Sequence, residues 1–156
     1  MDHSEAELLA FVGPRAGYYG ERWRRLGEAG HRRLSFNFAA FFLCLVWALY
    51  RRMFGIFWLA LAVFLVASAV SEWVAIRFMG LEATPRAYDS LMTLVFAATF
   101  GTFANLWYYR HAQRRLRALK ANGADERQII AAGGVRWVPP VSMVVLGLAA
   151  LLGGFG

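Results

Sequence analysis

MFGIFWLALAVFLVASAVS, residues 53–71, contains no charged side chain and decides the fold class. As a helix rising about 1.5 Å per residue it is long enough to cross a hydrocarbon core of about 30 Å. Two comparable stretches follow, at 90–109 and 137–155. The second of these carries Pro139 and Pro140 in its first turn, where proline costs a helix least. A further stretch, 36–50, is uncharged but short, about 22 Å as a helix. Hydrophobic residues make up 59% of the 156, and charged residues 17%, below the roughly 25% of a soluble domain. A small soluble domain exposes too much of its surface to hide that much apolar area. The reading is an all-α integral membrane protein with three to four hydrophobic helices.

Arg32-Arg33 and Arg51-Arg52 bracket the 36–50 stretch, so the Lys and Arg count in the connections decides whether it crosses. If it returns to the side it entered from, fifteen of the seventeen basic residues share one face. Arg77 and Arg86 then lie on the other. If all four stretches cross, the split is nine to eight and no orientation is preferred. Length and charge together favour a re-entrant or in-plane helix at 36–50. Spanning helices are then expected at 53–71, 90–109 and 137–155, with a cytoplasmic N-terminus. A thin four-helix bundle is the alternative. Asp2, Glu5 and Glu7 give residues 1–10 the wrong charge for a signal peptide, so the first apolar stretch is expected to be retained.

Two basic regions flank the membrane domain of 36–156. Residues 1–35 form an Arg-rich amphipathic region, in which Ser4 and Glu7 have capping-box spacing and Gly13-Pro14 interrupts the helix. Pro14 then suits the first turn of a second helix. There Tyr18, Tyr19, Trp23 and Leu26 fall near helical spacing, with Arg22, Arg24 and Arg25 between them. That pattern fits either a helix lying among lipid headgroups or one packed on the rest of the fold. Residues 110–136 read as a cytoplasmic basic hairpin. The helix of 90–109 continues toward Ala121, and Asn122-Gly123 ends it. Asp125 with Gln128 caps a short helix that stops at Gly133-Gly134.

Net charge is +7, and sixteen of the seventeen basic residues are Arg. Because these charges sit beside apolar spans and no nucleic-acid-binding signature accompanies them, anionic membrane lipid is the expected partner, and nucleic acid is not. Arg51 and Arg52 suit a phosphate clamp, since guanidinium forks match phosphate oxygens; the alternative is orientation of the chain alone. Arg22, Arg25, Arg110 and Arg114 are the other expected lipid-headgroup or partner contacts. Asn37 is a candidate helix contact or N-cap. Asn105, an amide at membrane depth, is expected to bond to another helix. Gly101 (with Ala97) and Gly153 (with Ala149) have the four-residue spacing of close helix packing.

Conventional chemistry finds little support. Cys44 lies in an apolar run and reads as a small hydrophobe. Glu72 follows the 53–71 stretch and reads as a surface acid. His111 has Arg110, Arg114 and Arg115 nearby, which disfavours its charged form and metal binding alike. No spacing of His, Cys or carboxylates matches a metal site, so neither metal nor cofactor is expected.

Several strings are more specific: Phe11-Val12-Gly13-Pro14-Arg15-Ala16 with Tyr18-Tyr19; Phe36-Asn37-Phe38-Ala39-Ala40-Phe41-Phe42; Trp47-Ala48-Leu49-Tyr50-Arg51-Arg52-Met53-Phe54; Ala104-Asn105-Leu106-Trp107-Tyr108-Tyr109-Arg110-His111; and Ala131-Ala132-Gly133-Gly134. In this order, over roughly 11–136, the chain resembles the bacterial membrane family catalogued as domain of unknown function 2628. Phe36 and Phe38 stand where that family more often has tryptophan, and Arg52 where it has lysine. The resemblance implies a small multi-pass protein of the bacterial inner membrane and implies no activity. The expected role is an interaction or scaffold protein, acting as an accessory subunit or a homo-oligomer and not as an enzyme. An oligomeric pore is the alternative, and a lipid-acting membrane enzyme is the third reading.

Overall fold

A computed structural model describes residues 5–28, 35–80 and 84–153. Among these the chain is entirely helical: α1 (Glu5–Val12), α2 (Ala16–Glu28), α3 (Phe38–Tyr50), α4 (Phe54–Met79), α5 (Arg86–Ala121), α6 (Glu126–Ala132) and α7 (Val138–Gly153). Ser4, Arg32, Arg33 and Gly154 lie outside the described residues.

Local chemistry sets most of the boundaries. Glu5 and Glu7 lie in the first turn of α1, where the helix dipole favours acids. Gly13 at φ 73° ends that helix. Pro14 falls in the turn and not in the first turn of α2, which begins at Ala16. Asn37 caps α3 by accepting a hydrogen bond from the Ala40 amide at 3.1 Å. Asp125 and Gln128 form a reciprocal capping box on α6.

Two helix ends use the same closing motif with different residues. At the end of α5 the Ala124 amide bonds to the Leu119 carbonyl and the Gly123 amide to Lys120, with Gly123 at φ 72°. At the end of α3 the Met53 amide bonds to Ala48 and the Arg52 amide to Leu49. The left-handed residue there is Arg52, at φ 59°. An L-residue in that region costs about 1 kcal/mol, so something must hold it.

Two features differ from the sequence reading, and a third decides between the two readings left open for α2. The helix expected over 53–71 runs on to Met79, because 72–79 contains no breaker and Gly80, at φ 65°, is the first residue suited to the left-handed cap. Glu72 therefore lies within α4 and does not follow it. Residues 36–50 do not form one regular helix: Cys44 (φ 33°, ψ −105°) interrupts α3 with a kink. Tyr19 and Trp23 are buried against Tyr108 and Tyr109, so the aromatic face of α2 packs on α5.

The helices divide into two regions. α1, α2, α3, α6, the start of α4 and the second half of α5 share one core, which includes Phe11, Val12, Trp47, Met53, Tyr108 and Leu116. Beyond it α4 and the first half of α5 protrude as an apolar pair. Both are long and apolar enough to cross a membrane. Only 6% of the most apolar window of α4 is buried, against 28% for α5. That exposure is the opposite of what the core helix of a water-soluble domain requires.

Glycine sets the closest approaches in the packed region. A Cβ on Gly133 would lie 1.9 Å from the Phe11 carbonyl oxygen, so α1 and the end of α6 meet backbone to backbone. The Gly134 amide donates to that same oxygen at 2.7 Å. A Cβ on Gly101 would meet the Phe36 ring and the Phe41 Cβ at 2.9 Å.

Candidate functional site

Where α3 crosses α5, two amides meet. Asn37 Nδ2 donates to Asn105 Oδ1 at 2.9 Å, and Asn105 Nδ2 donates to the carbonyl and hydroxyl oxygens of Ser35 at 3.0 and 2.8 Å. The Asn37 amide donates to the Gly101 carbonyl at 2.8 Å. Asn37 is 2% exposed and Asn105 1%. Gly101 leaves room for this contact by presenting no side chain. Gly153 ends α7, and its surroundings lie outside the described residues.

Next along the seam, at the C-terminal end of α3, is Arg51, only 2% exposed. Its guanidinium carbon lies 4.6 Å from the Tyr19 ring centroid and 4.9 Å from that of Tyr108, and Nη1 donates to Tyr108 Oη at 3.4 Å. Aromatic faces stabilise a cation electrostatically, more so away from water. No carboxylate pairs with it among the described residues, and its Nε is buried without a hydrogen-bond partner. Burial raises the Tyr19 pKa, which the neighbouring Arg51 cation only partly offsets.

Arg52 is held differently. Its Nη1 donates to the carbonyls of Ala131, Ala132 and Gly133 at 3.1, 2.8 and 3.1 Å. These are carbonyls at the end of α6, where a cation is favoured. The clamp fastens α6 to the α3–α4 turn and holds Arg52 in its left-handed conformation. Burial lowers the Arg52 pKa, and Arg136 and Arg115 lower it further.

Arg51 and Arg52 line a small pocket of about 200 Å³ together with His111 and Arg115. Among the described residues no acidic side chain lines it. His111 lies past Tyr109, where the apolar stretch of α5 ends. Burial depresses its pKa first, then the charges of Arg115, Arg114 and Arg52. A second and larger cavity, about 1210 Å³, runs between α4 and α5. Its walls are mainly apolar. Arg110, His111 and Arg114 stand at one end, and Glu72 and Asp89 toward the other. Gly55 and His111 line both cavities, so the two adjoin.

The remaining arginines expected at the surface fall into two groups. Arg110 and Arg114 are exposed. Arg22 lies over the Tyr18 ring at 3.6 Å and donates to the Tyr18 carbonyl, while Arg25 pairs with Glu21 one turn away. Arg115 was missed as a candidate, although it stands beside Arg114 in the same basic run. Among the described residues no three His, Cys, Asp or Glu side chains converge as a metal site.

No curated protein and no solved structure matches the chain. One family model matches residues 3–114, from the head of α1 into the basic end of α5, which takes in Asn37, Arg51, Arg52, Asn105 and His111. Arg115, α6 and α7 lie beyond the match. Since the matched residues are most of the sequence, the chain belongs to the family described as Protein of unknown function (DUF2628).

Proposed function

We propose that the protein is a membrane-embedded interaction or scaffold protein with a basic layer on the cytoplasmic face of the bacterial inner membrane. The observation that carries this reading is that burial and charge divide along the same line. The packed region holds every described Lys and Arg except Arg77 and Arg86. The protruding pair, α4 beyond Phe57 and residues 90–99 of α5, is apolar and largely exposed. By the positive-inside rule the packed region is then cytoplasmic, and the turn between α4 and α5 is external. With α7, three helices cross.

The contacts of α3 favour the re-entrant reading of that helix over a fourth crossing. Its first residues meet α5 at Gly101 and Asn105, and the residue after its last turn meets Tyr108. These contacts span about 10 Å along the α5 axis, whereas a crossing helix uses about 20 residues. In this reading α3 enters the cytoplasmic half of the bilayer and returns.

The exposed arginines of the layer, among them Arg110, Arg114, Arg117 and Arg127, suit anionic headgroups or an acidic surface on a partner or a second copy. Native mass measurement after mild-detergent extraction tests this. The expected result is a stoichiometric homo- or hetero-complex that Arg117→Glu with Arg127→Glu disrupts. A monomer in wild type and variant alike contradicts it.

A further inference from the structure

The two adjoining cavities have opposite chemistry. The 1210 Å³ cleft is open to the surface along α4 and α5, lined by Ile56, Val63, Phe64, Phe96 and Trp107, and basic at one end. The 200 Å³ pocket is small and cationic, with Arg51, Arg52, His111 and Arg115 on its walls. We propose that together they form one binding site for a phosphate-bearing anionic lipid, with an acyl chain in the cleft between α4 and α5 and the phosphate in the arginine pocket. This inference rests on the membrane placement argued above and identifies the ligand of that basic face.

Charge favours both the ligand class and its direction. Four cationic or protonatable side chains surround a pocket that has, among the described residues, no acid to neutralise them, and one, Arg51, is almost fully buried with Nε unpaired. A buried cation lacking a counter-charge is expensive, and a phosphate oxygen relieves that cost. Arg115 and Arg51 offer guanidinium donors suited to phosphate. Arg52 contributes charge while its Nη1 stays on the α6 carbonyls. The other end of the cleft carries Glu72 and Asp89, which repel an anionic headgroup. Asp89 and Arg110 are separated by about 31 Å of α5, close to the hydrocarbon thickness.

Gly55 offers a clean test, because it sits where the cleft joins the pocket. A Cβ there meets nothing within 4 Å, so a side chain can be introduced at the junction without a backbone clash. The full chain, purified in neutral detergent, is incubated with phosphatidylglycerol, with phosphatidylcholine, or with inorganic phosphate, and bound molecules are counted by native mass spectrometry. The expected result is retention of one phosphatidylglycerol by wild type, at least tenfold above phosphatidylcholine. Gly55→Phe and Arg115→Gln should each lower retention tenfold or more while eluting as wild type does. Inorganic phosphate bound by Gly55→Phe, with phosphatidylglycerol lost, supports the division into headgroup pocket and chain cleft. Equal retention of the two lipids, or phosphatidylglycerol retention unchanged in both variants, overturns the proposal. Phosphate binding with no selective lipid retention also overturns it and assigns a free anion. The chain's partition into carbonate-washed membranes is read separately: its loss defeats the membrane reading, whereas loss of lipid selectivity alone defeats only this site.

Discussion

α5 is one continuous helix of 36 residues with opposite surroundings along its length. From Phe100 to Leu116 it carries every buried residue it has: Phe100, Gly101, Ala104, Asn105, Leu106, Tyr108, Ala112 and Leu116. From Arg86 to Thr99 none of its residues is buried, although that half is the more apolar along its run from Leu91. In water this arrangement is inverted, since the more apolar half is the one left exposed. The contrast is resolved if the two halves have different solvents. Lipid would satisfy the first half without protein neighbours, while the second half, bordered by arginine, needs a protein core. The same division separates α4, nearly bare after Phe57, from the closely packed α1, α2 and α6.

Substitutions should therefore act by different physics in the two regions. The largest effect is expected in the packed region from Gly133→Ala. Its methyl group would sit 1.9 Å from the Phe11 oxygen, and neither backbone can yield. A loss of about 3 kcal/mol, the upper range for overpacking, is expected as a lowered unfolding midpoint in detergent. Gly17→Ala in α2, where a Cβ meets nothing within 4 Å, is the control.

Next comes a test of the protruding region. Val66 is exposed near the middle of α4. At a water-exposed site an arginine there would change stability by at most about 0.5 kcal/mol. In a membrane helix it costs about 2.5–3.5 kcal/mol of insertion free energy. A glycosylation-mapped insertion assay should show Val66→Arg impairing insertion. Unaltered insertion would break the comparison.

Asn105→Leu should cost about 2 kcal/mol, because it leaves the buried Asn37 amide without its partner. The same change at Thr99, in the exposed half of the helix, should have little effect on the detergent unfolding midpoint. The smallest effect separates strain from bonding at Arg52. Arg52→Ala loses the three carbonyl contacts and keeps a left-handed residue with a Cβ. Arg52→Gly loses the contacts but relieves the strain, so it should be the more stable by about 1 kcal/mol.

What could be read in the sequence follows the range of the interactions. Asn122-Gly123, the Asp125–Gln128 box and the absence of charge in 53–71 are local signals. Each states its own consequence within a few residues. The end of α4 was harder to read, since Glu72 and Arg77 resemble a loop by composition while their neighbours remain helix formers. The Cys44 kink and the left-handed Arg52 have no glycine to announce them, and Arg52 is held by carbonyls of residues 131–133, far along the chain. Asn37 and Asn105 were each visible as polar residues in apolar surroundings, but their pairing across 68 positions was not. The arginine pocket draws on α1, the α3–α4 turn, the start of α4, α5 and the end of α6, so no single motif spells it.

The division of the molecule between two solvents is tested most directly by sidedness. Single cysteines are placed at Arg25, Thr84 and Gly123 in a Cys44→Ser background and labelled with an impermeant maleimide in intact cells. The account predicts labelling at Thr84 alone, with Arg25 and Gly123 labelled only after permeabilisation. Labelling of the Arg25 position from outside, or protection of Thr84, would contradict the placement of the basic region on the cytoplasmic face and of the α4–α5 turn across the membrane.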